Sequence, residues 1–140
     1  MPFVVDASVA LSWCFEDEAD ELSRGLLTAI HSQLILVPPI WPLEVANALL
    51  TAERRERIKP ADAARFLQLI ADLPIEVVTS TRVVVRDALL SMARRHHLTA
   101  YDAQYLELAV WHRAALATRD QTLLGAAQAE GVQIWEPEQG

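Results

Sequence analysis

A chain of 140 residues fits one domain and leaves no room for a second full one. With 52% apolar and 22% charged residues it can build a core without disulfides or a structural zinc, and its one cysteine, Cys14, excludes an intrachain disulfide and suits a reducing cytoplasm. A net charge of −7 runs against nonspecific nucleic-acid binding, although an acidic metal pocket would account for part of it, and the cations cluster at Arg54, Arg55, Arg57 and Lys59 and again at Arg94 to His97.

Phe3-Val4-Val5 reads as a buried strand that ends at Asp6. Asp6-Ala7-Ser8 offers polar caps for a short helix through Val9, Leu11 and Trp13, and the acidic run from Glu16 to Glu21 opens a second helix with Leu22, Leu26, Leu27 and Ile30 at helical spacing. Nothing in this region resembles a basic leader, a cleavage site or a spanning segment, so a soluble cytoplasmic protein with no membrane contact is expected. Leu34 to Val37 is the second strand, stopped by Pro38-Pro39, and Pro42 opens a helix carrying Leu43, Val45, Ala46, Leu49 and Leu50. Pro60-Ala61-Asp62 begins another helix, and Ile75 to Val78 is strand-like. Ser80-Thr81 caps a helix that ends at Arg94 to His97, Thr99 begins the next, Ala115 to Thr118 is a short strand, and a helix follows from Asp120 to about Glu130 with Gly131 just beyond it. Val132 to Trp135 reads as a last strand. Short apolar strands alternating with helices predict an α/β fold with a central parallel sheet flanked by helices; the two helices between Pro42 and Leu73 read as an αα-hairpin insertion. The domain is expected over 1–135, with 136–140 a frayed tail.

In open α/β sheets, ligands bind at the carboxyl ends of the strands. Asp6 follows the first strand directly, and Asp120 follows the Ala115–Thr118 strand after one arginine. Glu44 lies in the first turn after the second strand, and Asp102 at the start of the helix that leads into the Ala115 strand. Each acid alone reads as a helix cap or first-turn residue. Gathered in one crevice they would repel, and a divalent cation would remove that cost; oxygen ligands without a Cys or His cluster point to Mg2+ or Mn2+.

The segments Val4-Val5-Asp6-Ala7-Ser8-Val9, Pro42-Leu43-Glu44-Val45-Ala46-Asn47-Ala48-Leu49, Leu98-Thr99-Ala100-Tyr101-Asp102-Ala103 with Tyr105-Leu106-Glu107-Leu108-Ala109, and Leu116-Ala117-Thr118-Arg119-Asp120 occur in this order over nearly the whole chain. Together they resemble a PIN domain of the VapC toxin type. The resemblance implies that Asp6, Glu44, Asp102 and Asp120 form the acidic site, and that the protein is a metal-dependent endoribonuclease leaving 5′-phosphate and 3′-hydroxyl ends. It also implies a homodimer neutralised by a small cognate antitoxin. Asp6 and Asp102 are the expected direct or one-water metal ligands; Asp120 would hold a second metal, and Glu44 would bind metal or orient the attacking water.

Ser8 and Thr118 either hydrogen-bond a carboxylate or metal-bound water, or act as local caps. Asn47 shares the Glu44 face of its helix. Trp13, Phe15, Trp41 and Tyr101 lie close in sequence to the acids and either stack on bases or pack in the core or a dimer interface. Arg54, Arg55, Arg57 and Lys59 are candidate RNA contacts or a solvated helix end. Three other readings compete. A DNA-directed nuclease would need more chain, a receiver-type phosphoacceptor would need a late lysine where Lys59 is the only one, and a binding-only scaffold would lack one or more of the acids.

Overall fold

The computed structural model describes residues 2–79 and 87–137. Four strands, β1 (Phe3–Val5), β2 (Ile35–Val37), β3 (Ile75–Val77) and β4 (Ala115–Ala117), pair in parallel in the order β3-β2-β1-β4. The described helices are α1 (Ala7–Leu11), α2 (Glu21–Ala29), α3 (Trp41–Arg54), α4 (Pro60–Ala71), α5 (Asp87–His96), α6 (Ala100–His112) and α7 (Gln121–Ala129). The expected α/β fold is therefore present. The capping residues Ser80 and Thr81 expected for α5 lie outside the described residues.

Every residue of β1, β2 and β4 is buried, which is why these strands are apolar runs rather than alternating ones. β3 is the exposed edge, with Glu76 and Val77 facing solvent. Helix α6 packs on β1, β2 and β4 through Ala103, Leu106 and Ala109, small and branched residues that let it approach the sheet closely. The β2–β3 connection is the expected pair of helices, and its first member joins the core: α3 buries Trp41, Val45, Leu49 and Ala52 and packs against α1.

Three details differ from the sequence expectation. Only the end of the acidic run opens α2: Glu16–Glu18 forms a 3-10 turn, and Asp20 caps α2 by accepting from the Ser23 backbone N–H at 2.9 Å, with Glu21 in the first turn. The expected last strand is reduced to one parallel bridge between Leu116 and Ile134. Val132 N–H turns back to the Ala127 carbonyl to close α7, Gly131 takes the left-handed φ of +74° that this closure needs, and the Trp135 ring leaves the ladder to stack on Phe3 at 5.8 Å. The chain then stays packed as far as Pro137, which lies so close to Gly25 that a Cβ there would come within 3.0 Å of it.

Leu116 is fully buried at the centre of this arrangement, whereas Leu34 is 42% exposed just before β2. Leu116→Ala should cost about 2–5 kcal/mol in urea denaturation, and Leu34→Ala should stay within about 0.5 kcal/mol of wild type.

Candidate active site

The register of β1 on β4 builds the first half of the site. Val5 pairs with Ala117, so the next residues, Asp6 and Thr118, leave the sheet side by side, and Asp6 N–H donates to the Ala117 carbonyl at 3.2 Å. Asp6 is buried and caps α1: its Oδ1 accepts from Val9 N–H at 2.9 Å and from Ser8 Oγ at 2.7 Å, while Thr118 Oγ1 donates to its Oδ2. Thr118 Oγ1 also accepts from Asp120 N–H at 3.1 Å, and Asp120 caps α7 through Leu123 N–H at 2.9 Å. Ser8 and Thr118 thus both act on the Asp6 carboxylate, as one of the two readings of them anticipated.

The second half comes from α3 and α6. The Tyr105 hydroxyl, on a buried side chain of α6, donates to Glu44 Oε1 at 2.8 Å. Burial pushes the Glu44 pKa up; the Tyr105 hydrogen bond opposes this, and the charges of Asp102 and Asp6 add to it. The Asp102 pKa is likewise raised, first by burial and then by Asp120, with Thr99 opposing and Asp6 adding. Burial, then Glu44, raises the Tyr105 phenol far above its ordinary value, so it stays a donor at any working pH. Glu44 thus lies within electrostatic reach of Asp102 and Asp6, and Asp102 within reach of Asp120 and Asp6. Tyr105 was not singled out from the sequence as a site residue; its only signal is its position three residues after Asp102, on the same helical face.

Among the described residues, no group of three Asp, Glu, His or Cys side chains is placed to hold a metal ion. The donor chemistry still suits magnesium, which keeps several of its waters and takes only one or two carboxylates from a protein. Two carboxylates raised first by burial and then by neighbouring acids also mark a place where a cation would relieve part of the cost of ionising them.

The other candidates separate. Asn47 is exposed and makes no side-chain hydrogen bond among the described residues. Arg54, Arg55 and Lys59 are exposed, but Arg57 is engaged within the protein: it pairs with Asp17 at 2.7 Å and Glu18 at 3.4 Å and lies 4.2 Å over the Phe15 ring. Arg55, Arg57 and Arg119 line a groove of about 660 Å3 that also includes Ser8 and Ala48 and so opens beside the carboxylates. Of the aromatics, Phe15 and Trp41 are buried and the Trp13 indole donates to the Ser23 carbonyl at 2.8 Å, which leaves Tyr101, 59% exposed, free to meet a base. His96 closes the end of α5 on Glu130, with 2.7 Å between Nε2 and Oε1, and burial raises the Cys14 thiol pKa, so neither looks toward the chemistry.

The chain matches the PIN domain family over residues 3–128. It is 34% identical over 128 residues to the VapC ribonuclease Mb0985 of Mycobacterium bovis, covering 91% of this chain and 92% of that relative. Its fold is similar to that of PAE2754 from Pyrobaculum aerophilum, with a TM-score of 0.68, 23% identity and coverage of 90% and 84%. It is also similar to VapBC2 from Rickettsia felis, solved with a promoter DNA fragment, with a TM-score of 0.68, 12% identity and coverage of 96% and 98%.

The raised carboxylates fix a sign for pH dependence. The folded state holds the Glu44 and Asp102 protons more tightly than the unfolded chain does. Stability therefore falls as pH rises from the ordinary carboxylate range through the raised values, and the deficit persists above them. Glu44→Gln and Asp102→Asn should each melt above wild type at neutral pH in EDTA, and the gain should vanish at pH well below the carboxylate range. A gain that is the same at both pH values would contradict the repulsion.

Proposed function

The chain belongs to the PIN domain family, and on that premise we propose that it is a divalent-metal-dependent endoribonuclease acting as the toxin of a toxin–antitoxin pair. What supports this reading is that Thr118 joins Asp6 to the Asp120 end of β4 and Tyr105 joins Glu44 to the helix that carries Asp102, with Asp102 within electrostatic reach of Asp120 and Asp6. Asp6 and Asp102 would hold Mg2+ or Mn2+ directly or through one water, and Asp120 a second metal; bound metal would make water a better nucleophile and offset negative charge on the phosphate. Asp6 is locked in orientation by Ser8, Val9 and Thr118. Glu44 keeps Oε2 free of the Tyr105 bond, and its raised proton affinity suits it to orient a water and take its proton. Exposed Tyr101, adjacent to Asp102, is placed to stack on an unpaired base.

The partners follow the same reading. A small cognate antitoxin would occupy the acidic groove. A second copy of the chain would cover the exposed Leu43 and Leu50 of α3. A cytoplasmic location fits Cys14 as a free thiol. No helix among the described residues is long and apolar enough to cross a membrane.

Asp6→Asn and Asp102→Asn should each abolish Mn2+-dependent cleavage of total RNA while the fold survives, and the wild-type products should carry 5′-phosphate ends. Full cleavage by Asp6→Asn protein would remove the assignment. Independently of activity, Mn2+ at one hundred times its dissociation constant should stabilise wild type by about 2.7 kcal/mol for a single site, and Asp6→Asn should shrink that gain. Equal shifts in both proteins would place the metal elsewhere.

A further inference from the structure

One cation stands inside this acidic neighbourhood without a part in the scheme above. Arg119 lies between Thr118 and Asp120, and its guanidinium turns away from the carboxylates to grip Asp20 with two hydrogen bonds, Nε to Oδ2 at 2.6 Å and NH2 to Oδ1 at 2.7 Å. The same NH2 donates to Ser12 Oγ at 3.1 Å, and Ser12, fully buried, is the last residue of the α1 turn, where its hydroxyl donates to the Val9 carbonyl. Asp20 is the cap of α2 and holds Ser23 in a reciprocal capping box. One planar group therefore fastens the end of β4 to the end of α1 and the start of α2, segments 107 and 99 residues away in the chain.

These are the segments that orient Asp6. Its two hydroxyl donors arrive from different elements: Ser8 from α1, and Thr118 from the end of β4. Helix α1 has only five residues, too short to hold its place by its own backbone. Its amino end is fixed by Asp6 and its carboxyl end by the Ser12 contact. We propose that Arg119 is a positioning residue for the proposed nuclease reaction: by tying Ser12 and Asp20 to the β4 end, it keeps Ser8 and Thr118 in the arrangement that aims the Asp6 carboxylate. A fork with two parallel bonds fixes direction as well as distance, which a lysine ammonium at the same place cannot do. Arg119 also lines the groove beside the site, so direct contact with the phosphates of RNA is the rival role, and the two roles predict different kinetics.

The inference rests on the nuclease reading, so wild type and Asp6→Asn are measured first in the same Mn2+-dependent RNA cleavage assay. If Asp6→Asn cleaves like wild type, the reading falls and this inference falls with it. If the reading stands, Arg119→Gln and Asp20→Asn should each lower kcat by roughly tenfold to a hundredfold, the scale of a misplacement of about an ångström, with KM within about twofold. Asn caps a helix as well as Asp does, so Asp20→Asn leaves α2 capped and isolates the tie. The Arg119→Gln/Asp20→Asn double variant should be no worse than either single one, and Arg119→Lys, the variant least able to disturb folding, should recover little of the lost kcat despite its charge. Asp20→Asn at wild-type kcat overturns the proposal, as does a loss in Arg119→Gln that appears in KM and is restored by lysine.

Discussion

Repulsion between carboxylates is the constraint at this end of the fold: Asp102 and Asp6 act on Glu44, Asp120 and Asp6 act on Asp102, and the architecture around them opposes that repulsion. Each sits at a helix amino terminus: Asp6 caps α1, Asp120 caps α7, and Glu44 and Asp102 lie in the first turns of α3 and α6. Exposed amide N–H groups and the helix dipole favour negative charge there by about 0.3–1 kcal/mol per site. Four such sites together supply about 1–4 kcal/mol, at most the cost of one carboxylate pair at 4 Å, which is about 4 kcal/mol at an effective dielectric of 20. The offset is partial, since Glu44 and Asp102 still hold their protons above the ordinary range.

The hydroxyl and guanidinium contacts act at a second level, on direction rather than on charge. Ser8 and Thr118 fix the rotation of Asp6, and Tyr105 fixes that of Glu44. Farther out, two arginines turn from the crevice toward the acidic run that precedes α2: Arg119 takes Asp20, and Arg57 takes Asp17 and Glu18. Part of the −7 net charge is thus paired within the fold, and the acids most remote from the chemistry hold the walls of the groove. The cation run from Arg54 to Lys59, which in sequence looks like one basic patch, divides into a structural strut at Arg57 and exposed neighbours on either side of it.

The strands, the helix faces and the acids at strand ends are local patterns, and they were readable from the sequence because a buried parallel strand is an apolar run and a helix start carries a cap. What escaped reading is pairing across long separations. Thr118 meets Asp6 across 112 residues only because the first strand pairs with the fourth, and no local pattern encodes that neighbour. Arg119 and Asp20 are joined in the same way, and Asp20 in sequence is one acid in a stretch of several. Tyr105 reads as a core aromatic because its ring is one, and its role lies in a single atom at the end of the ring. The Val132–Trp135 segment has strand composition, but closure of α7 and the stacking of Trp135 on Phe3 leave its backbone only one bridge to make.

The local patterns also leave a choice between structure and function, and the hydrogen bonds resolve it. A helix amino terminus needs an acceptor, not a charge: Asn serves at a cap as well as Asp. Asp6 and Asp120 each use one oxygen as a cap, which an amide oxygen would satisfy equally. Helix α6 is capped by Thr99, whose Oγ1 accepts from Asp102 N–H at 3.1 Å, so the Asp102 carboxylate is not spent on that duty. Helix α3 begins at Ile40 without any side-chain cap, and Glu44 is turned instead toward Tyr105, a bond that a glutamine could accept. None of these caps therefore needs a negative charge, while burial first, and the neighbouring acids after it, raise the Glu44 and Asp102 pKa values and so set a cost on ionising them.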